Sequence, residues 1–174
     1  MSYTTVKAVW PGEKVENLEE LQNSHGSAPV IWNRMAVKYL GCDEYMYHRK
    51  LDLLWPLYKH LGIPRYQRAV LVMTYDRALV YKADYAQAAA DIRAYLKDFP
   101  DGVGVNHWPH IAEIFESNPD VPAIGFHMTS VSEDLFLGEW NEELEESGPP
   151  DWAEFYSVYA LLSKYDLAQK EEGR

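Results

Sequence analysis

Two histidines and a glutamate follow one another at three-residue intervals in GVGVNHWPHIAEIFES, residues 102–117. His107, His110 and Glu113 carry side chains that bind divalent metals, and residues three apart on a helix are neighbours on its surface. Two histidine ligands on one helix are more often four apart, although a Glu-x-x-His pair serves in metal-binding helical bundles. The stretch therefore permits a metal site.

The same stretch also meets the requirements of an ordinary packing helix. Asn106 is a good N-cap, and Pro109 falls in the first turn, where a missing N–H does no harm. On a helical wheel His107 lies inside the apolar arc, whereas His110 lies on its flank. The apolar arc consists of Trp108, Ile111, Ile114 and Phe115. We favour this structural interpretation over the metal site.

A third histidine, His127, follows in GFHMTSVSED. VPAIGFHMTSVS is a strand candidate, and a strand that follows the helix directly would bring His127 near His107 as a third ligand. Otherwise, His127 is a histidine at a strand end. No cofactor is required by the sequence, and a divalent metal is the one that this cluster would hold.

Nucleophilic side chains have simpler explanations. No G-x-S-x-G elbow surrounds Ser130 or Ser132, and Ser130-x-x-Glu133 has the spacing of a helix capping box. Cys42 follows Gly41, a predicted helix end, and we expect it to be a small buried apolar residue.

Alternation and helical spacing predict the remaining elements. The segment 4–10 is a strand, and EKVENLEELQNSHG favours one short helix. A helix follows Ser27 as its cap and ends at Gly41, and a second runs from Asp43 to Gly62 with a kink or a break at Pro56. RAVLVMTYDRALVYK favours a buried strand or a hairpin.

Two further helices are predicted by their caps. Asp84 caps the alanine-rich segment ADYAQAAADIRAYLKDF. Asp151, with Glu154 three residues later, forms a capping box for a last helix through Lys164. Together these elements predict one helix-rich α+β domain over 1–174, with a sheet of three or four strands, an exposed acidic loop over 138–150 and a frayed terminus over 170–174.

Composition limits the class of protein. No apolar run approaches the roughly 18 residues of a membrane span, and the first residues lack a signal-peptide layout. The single cysteine rules out an internal disulfide. We therefore expect a cytoplasmic protein with no membrane contact.

Charge is concentrated in the last quarter of the chain. The net charge is −11, and residues 132–174 hold twelve acidic and three basic residues, a net −9. Phosphate binding needs surplus Lys and Arg, so direct nucleic-acid binding is disfavoured and a basic protein partner is favoured. The residues expected to contact it are Trp140, Glu142, Glu143, Glu145, Glu146 and Trp152.

Three functions remain open. We favour a non-enzymatic protein-binding or inhibitor-type protein whose acidic, aromatic-containing C-terminal surface engages a basic partner, because no convincing catalytic set is present. One alternative is a metal-dependent, hydrolase-like enzyme built on His107, His110 and His127. The other is a structural or assembly component.

Overall fold

A β-hairpin opens the chain in the computed structural model, which describes residues 2–100 and 104–172 and side chains as far as 168. Strand β1 (Tyr3–Trp10) confirms the predicted strand and pairs antiparallel with β2 (Lys14–Gln22). Gly12 adopts φ +82° in the turn between them, a conformation that suits glycine.

The predicted short helix after the turn is wrong, because β2 occupies that segment. Its apolar residues Val15, Leu18 and Leu21 recur every three positions, as on a helix, yet the strand register shifts by one residue at Leu18. This bulge changes the alternation, so that Val15 pairs with Val9 while Leu21 pairs with Thr4. Three apolar residues with helical spacing can therefore lie on a strand, with Val15 on one face and Leu21 on the other.

The main sheet has five strands in the order β2-β1-β4-β3-β7. It includes β3 (Ala78–Tyr81), β4 (Ala123–His127) and the short β7 (Tyr156–Ser157), which lies parallel to β3. The α+β class is confirmed, with one strand more than the predicted three or four. A separate two-stranded ribbon is formed by β5 (Trp140–Asn141) and β6 (Glu146–Ser147).

One face of the sheet, the inner face, carries the main core. The helices are α1 (Ala28–Leu40), the short α2 (Leu51–Leu54), α3 (Arg65–Met73), α4 (Tyr85–Asp98), α5 (Trp108–Ser117) and α6 (Val158–Glu172). Inward residues such as Val6, Ile124 and Phe126 pack with them in one cluster. Helices α1, α4 and α5 confirm three of the predicted helices, and Gly41 ends α1 at φ +62° as expected.

The strand predicted in the first apolar run of RAVLVMTYDRALVYK is wrong. Residues 65–73 form helix α3, whereas the second run forms strand β3 as predicted. All residues from Gln67 to Thr74 are buried. The apolar residues from Ala69 to Met73 are consecutive, and such a buried run does not by itself distinguish a helix from a strand.

The long helix predicted from Asp43 to Gly62 is broken into shorter pieces. A 3-10 turn over Tyr47–Lys50, helix α2 and a second 3-10 turn over Trp55–Lys59 replace it. Pro56 lies in the second turn, where its ring and missing N–H prevent continuation of the α-helix.

Several predicted caps have other roles. Asp151 accepts a hydrogen bond from the Ala153 N–H, but it caps only a 3-10 turn, and α6 begins at Val158. Ser27 precedes α1 but its hydroxyl bonds to Thr4 instead of capping the helix. Ser130 accepts from the Tyr3 N–H at 3.0 Å outside any helix, so the predicted capping box there is wrong. Asp84 occupies the N-cap position of α4 without a side-chain bond.

The opposite face of the sheet, the outer face, has a smaller apolar cluster of Val9, Leu79, Ala123 and Phe136. Trp152 and Phe155 pack against it. The terminus over 170–174 was predicted to fray, but helix α6 extends to Glu172. Residues 173 and 174 lie outside the described part of the chain. Within 2–100 and 104–172, every helix is too short or too polar to span a bilayer.

Candidate functional site

His107, at the start of helix α5, forms hydrogen bonds with the end of the hairpin. Its Nε2 lies 2.8 Å from the Gln22 carbonyl and 3.0 Å from the Asn23 carbonyl, so this nitrogen donates to the chain leaving β2. Asn106, the predicted N-cap, lies one residue before the cap position, which His107 occupies, and its Oδ1 accepts from the Trp108 N–H at 3.0 Å. A ring nitrogen that donates to carbonyls is not available as a metal ligand, and His107 has a structural role.

His110 instead bridges two carboxylates at the surface. Its Nε2 lies 2.7 Å from Glu19 Oε1, and its Nδ1 lies 3.2 Å from Glu113 Oε2. The hydrogen bond with Glu19, followed by that with Glu113, raises the pKa of His110 above its ordinary value. A protonated imidazole donates to both carboxylates, so this contact is an ion-pair bridge between α5 and β2.

His127 lies on the outer face of the sheet, away from α5. Its neighbour Phe126 faces inward, where its ring is 6.5 Å from that of Trp108. Because successive residues of a strand face opposite sides, His127 is directed outward. The sheet thus lies between His127 and the helix that carries His107 and His110.

The structure does not bring the predicted metal ligands together. His107, His110 and His127 make three separate sets of contacts, and Glu113 belongs to the second set alone. Among the described residues, no group of three or more His, Cys, Asp and Glu side chains is arranged to hold a metal ion. His127 is separated from the other two histidines because successive residues of a strand face opposite sides of the sheet. The sequence alone does not show which side of β4 faces the helices.

Outer-face contacts place His127 between a serine and an aspartate. His127 Nε2 lies 3.3 Å from Ser132 Oγ, and its Nδ1 lies 3.8 Å from Asp134 Oδ2. The second distance is too long for the hydrogen bond that orients a catalytic histidine. The same Asp134 oxygen binds Lys7 Nζ at 2.5 Å. The arrangement therefore lacks the geometry of a catalytic triad. Its contacts instead hold the segment that contains Ser132 and Asp134 against the outer face of the sheet.

Ribbon β5–β6 carries the predicted acidic surface. Glu142, Glu143, Glu145 and Glu146 are all exposed, and none forms an ion pair with a residue in the described part of the chain. Two large apolar side chains accompany them, since Trp140 is 62% exposed and Leu144 is 65% exposed. Uncompensated charge and exposed apolar groups thus occupy one small element.

The two tryptophans that flank the acidic segment have different environments. Trp152 is half-buried, with its ring centroid 5.6 Å from that of Phe155 in the outer cluster. Trp152 thus packs against the outer cluster, and of the two tryptophans only Trp140 is largely exposed. Cys42, expected to be buried, is half-buried beside α1.

A cavity of about 390 Å³ lies elsewhere, between α1, the turn after α3 and the end of β4. Aromatic rings dominate its wall, together with hydroxyl groups and one carboxylate. The described residues that line it are Trp32, Trp55, Thr74, Tyr75, Asp76, Met128, Thr129 and Ser132. Its volume is within the range of small-molecule sites.

Sequence reasoning missed this cavity. Trp32 lies within the predicted helix that ends at Gly41, and Asp76 lies within the segment that predicts a strand or a hairpin. The residues that form the wall come from segments far apart in the chain, and none of them forms a local motif. The one local signal is the polar Asp76, two residues after the buried stretch that ends at Thr74, and a turn explains it equally well.

The chain matches no known family model, and neither a curated protein nor a solved structure resembles it.

Proposed function

We propose that the protein is a non-enzymatic binding or inhibitor-type protein that engages a basic protein partner through ribbon β5–β6. One observation carries the proposal: four exposed glutamates, which pair with no cation among the described residues, share the ribbon with exposed Trp140 and Leu144. Such glutamates would find their counter-charges on another molecule.

The ribbon combines the two kinds of group that protein interfaces use. Exposed tryptophan and leucine supply apolar area, and tryptophan is among the residues that dominate binding energy. The surrounding carboxylates supply long-range attraction, which accelerates the encounter with a basic surface. Gly138 N–H donates to the Gly148 carbonyl at 2.9 Å, and Gly148 N–H donates to the Glu139 carbonyl at 2.9 Å, so the base of the ribbon is held in a defined shape.

Acidic charge near the ribbon also disfavours nucleic acid as the partner. A phosphate backbone requires Lys and Arg, whereas residues 132–174 carry a net charge of −9. We further propose the cytoplasm as the compartment, because the single cysteine suits a reducing environment. No cofactor enters this proposal.

The test is capture of the partner by a photo-crosslinking residue at Leu144, in cells that produce the protein naturally. We expect one basic protein to be crosslinked, and capture by the purified protein to weaken at high salt because screening shortens the range of the attraction. Replacing Glu142, Glu143, Glu145 and Glu146 by lysine should abolish the crosslink.

A charge-matched variant controls for the change in net charge. Glu13, Glu20, Asp52 and Asp120 are exposed and lie outside the ribbon. Lysine at these four positions alters the net charge by the same amount and should leave capture intact. Equal capture by the wild type and the ribbon variant, or equal loss in both variants, would contradict the proposal.

A further inference from the structure

We infer that the cavity lined by Trp32, Trp55, Tyr75 and Asp76 binds a small organic cation with an apolar body, such as a substituted ammonium. The site is separate from ribbon β5–β6. The aromatic wall, the hydrogen bonds already made within it and its charge all favour such a ligand.

Three aromatic residues line the cavity, and the ring of Trp55 is nearly perpendicular to each of the other two. The ring centroids of Trp32 and Trp55 are 5.2 Å apart at an interplanar angle of 83°, and those of Trp55 and Tyr75 are 5.5 Å apart at 86°. Trp55 is therefore nearly perpendicular to each of its two neighbours, so the three rings do not share one plane. Aromatic faces carry negative electrostatic potential and attract cations, and alkylated ammonium ions are the ligands that such walls recognise.

The hydrogen-bond donors of the wall are largely occupied. Trp32 Nε1 donates to Thr74 Oγ1 at 2.8 Å, and Thr74 Oγ1 donates to the Leu71 carbonyl at 2.6 Å. The Tyr75 hydroxyl donates to the Trp55 carbonyl at 2.5 Å, and burial, the largest cause, raises the pKa of this hydroxyl. Few donors are therefore left for an anion.

Ser132 is occupied in the same way. Its hydroxyl lies 3.0 Å from the Thr129 carbonyl, to which it donates, and 3.3 Å from His127 Nε2. A ligand in the cavity would meet aromatic rings, the Met128 thioether and acceptor oxygens. These groups suit an apolar cation better than a carboxylate or a phosphate.

The charge of the wall also favours a cation, since Asp76 is the charged residue among the described residues that line the cavity. Asp76 forms no ion pair with a described residue, and no Lys or Arg is among the described residues that line the cavity. Arg77, the nearest cation in sequence, is bound to Glu154, with its Nη2 2.7 Å from Oε2. The Asp76 carboxylate thus remains available to a cationic ligand.

Benzyltrimethylammonium is the probe that tests this inference, with benzyl alcohol and benzoate as neutral and anionic comparisons. The protein is labelled with ¹⁵N-tryptophan, and the indole signals are followed during titration. We expect the cation to shift the Trp32 and Trp55 signals with a dissociation constant of roughly 1 mM or below, and benzyl alcohol and benzoate to bind at least about fivefold more weakly.

Trp140 serves as an internal control for non-specific attraction to the acidic ribbon. Asp76→Asn should weaken binding of the cation by about threefold or more, since an exposed carboxylate contributes modestly. Asp120→Asn, which removes one exposed carboxylate away from the cavity, should leave the affinity unchanged. Because Asp76 makes no bond that holds the fold, the variant is expected to retain wild-type thermal unfolding.

Three results would overturn the inference. The first is a shift of the Trp140 signal without shifts of Trp32 and Trp55. The second is equal affinity for the cation, the alcohol and benzoate. The third is an unchanged affinity in Asp76→Asn, which would mean that the carboxylate takes no part.

Discussion

Lys7 Nζ lies 2.5 Å from Asp134 Oδ2 and 2.8 Å from Asn17 Oδ1, with the lysine side chain only 4% exposed. Lys7 belongs to β1 and Asn17 to β2, whereas Asp134 belongs to the segment that leads to Phe136 on the outer face. Asp134 Oδ1 also accepts from the Phe136 N–H at 3.1 Å. This buried ion pair thus joins the sheet to the segment that places Phe136 on it.

Asp134→Ala should lower the free energy of unfolding by about 3 kcal/mol, because it leaves Lys7 buried with Asn17 as its one remaining partner in the described part of the chain. The double variant Lys7→Met, Asp134→Ala removes the uncompensated charge and should recover a large part of that loss. Urea denaturation of the two single variants and the double variant measures the coupling. Additive losses would show that the pair contributes no interaction energy.

Gly125→Ala should lower the free energy of unfolding by about 1 to 3 kcal/mol through overpacking. A Cβ atom at this position would lie 2.6 Å from Phe136 Cζ and 2.9 Å from Leu79 Cδ2. Gly62→Ala is the matched control, since a Cβ there meets nothing within 4 Å. Thermal unfolding should separate the two variants, and similar midpoints would argue against close contact between Phe136 and β4.

The His110 bridge should stabilise the protein more in acid than in alkali. Its pKa is raised by Glu19 and Glu113, so the stabilisation is complete below the ordinary value of 6.5 and is lost as the pH rises through the folded-state pKa. Relative to His110→Gln, the wild type should be more stable by a few tenths of a kcal/mol at about pH 5.5, with the difference reduced at about pH 8.5. The small size reflects a half-exposed side chain.

Urea denaturation at the two pH values provides the measurement for His110. In Glu19→Gln, the partner at 2.7 Å is neutral, so the pH-dependent part of the difference should shrink. A wild-type advantage that grows with pH would mean that the imidazole is bound in its neutral form.

Gly138→Ala should disrupt the base of the acidic ribbon without unfolding the domain. A Cβ atom would lie 2.1 Å from the Pro149 carbonyl oxygen, a backbone atom that no side-chain rotation can move. Gly148→Ala is a suitable comparison because its nearest neighbour, the Glu139 carbonyl oxygen, is 3.5 Å away. Amide NMR should show changed signals throughout 138–148 in the first variant alone, with partner capture lost as well.

Elements with a clear periodic pattern could be predicted. Helices α1, α4 and α5 each have one apolar side, and β1 and β4 lie beside turn residues, so these five follow from local spacing. The arrangement of the candidate site residues could not be predicted in this way. His107, His110 and His127 have the right chemistry for a metal, but whether they converge depends on which side of the sheet each one occupies.

Sequence alone therefore determined the α+β class, the periodic helices and the concentration of acid near the C-terminus, because these depend on composition and on neighbours within one or two turns. Tertiary structure decided that β2 is a strand with a bulge at Leu18 and that α3 is a helix buried from Gln67 onward. It also placed His127 across the sheet from His107 and gathered Trp32, Trp55 and Asp76 around one cavity. Such arrangements depend on contacts between distant segments, whose energies outweigh local preference.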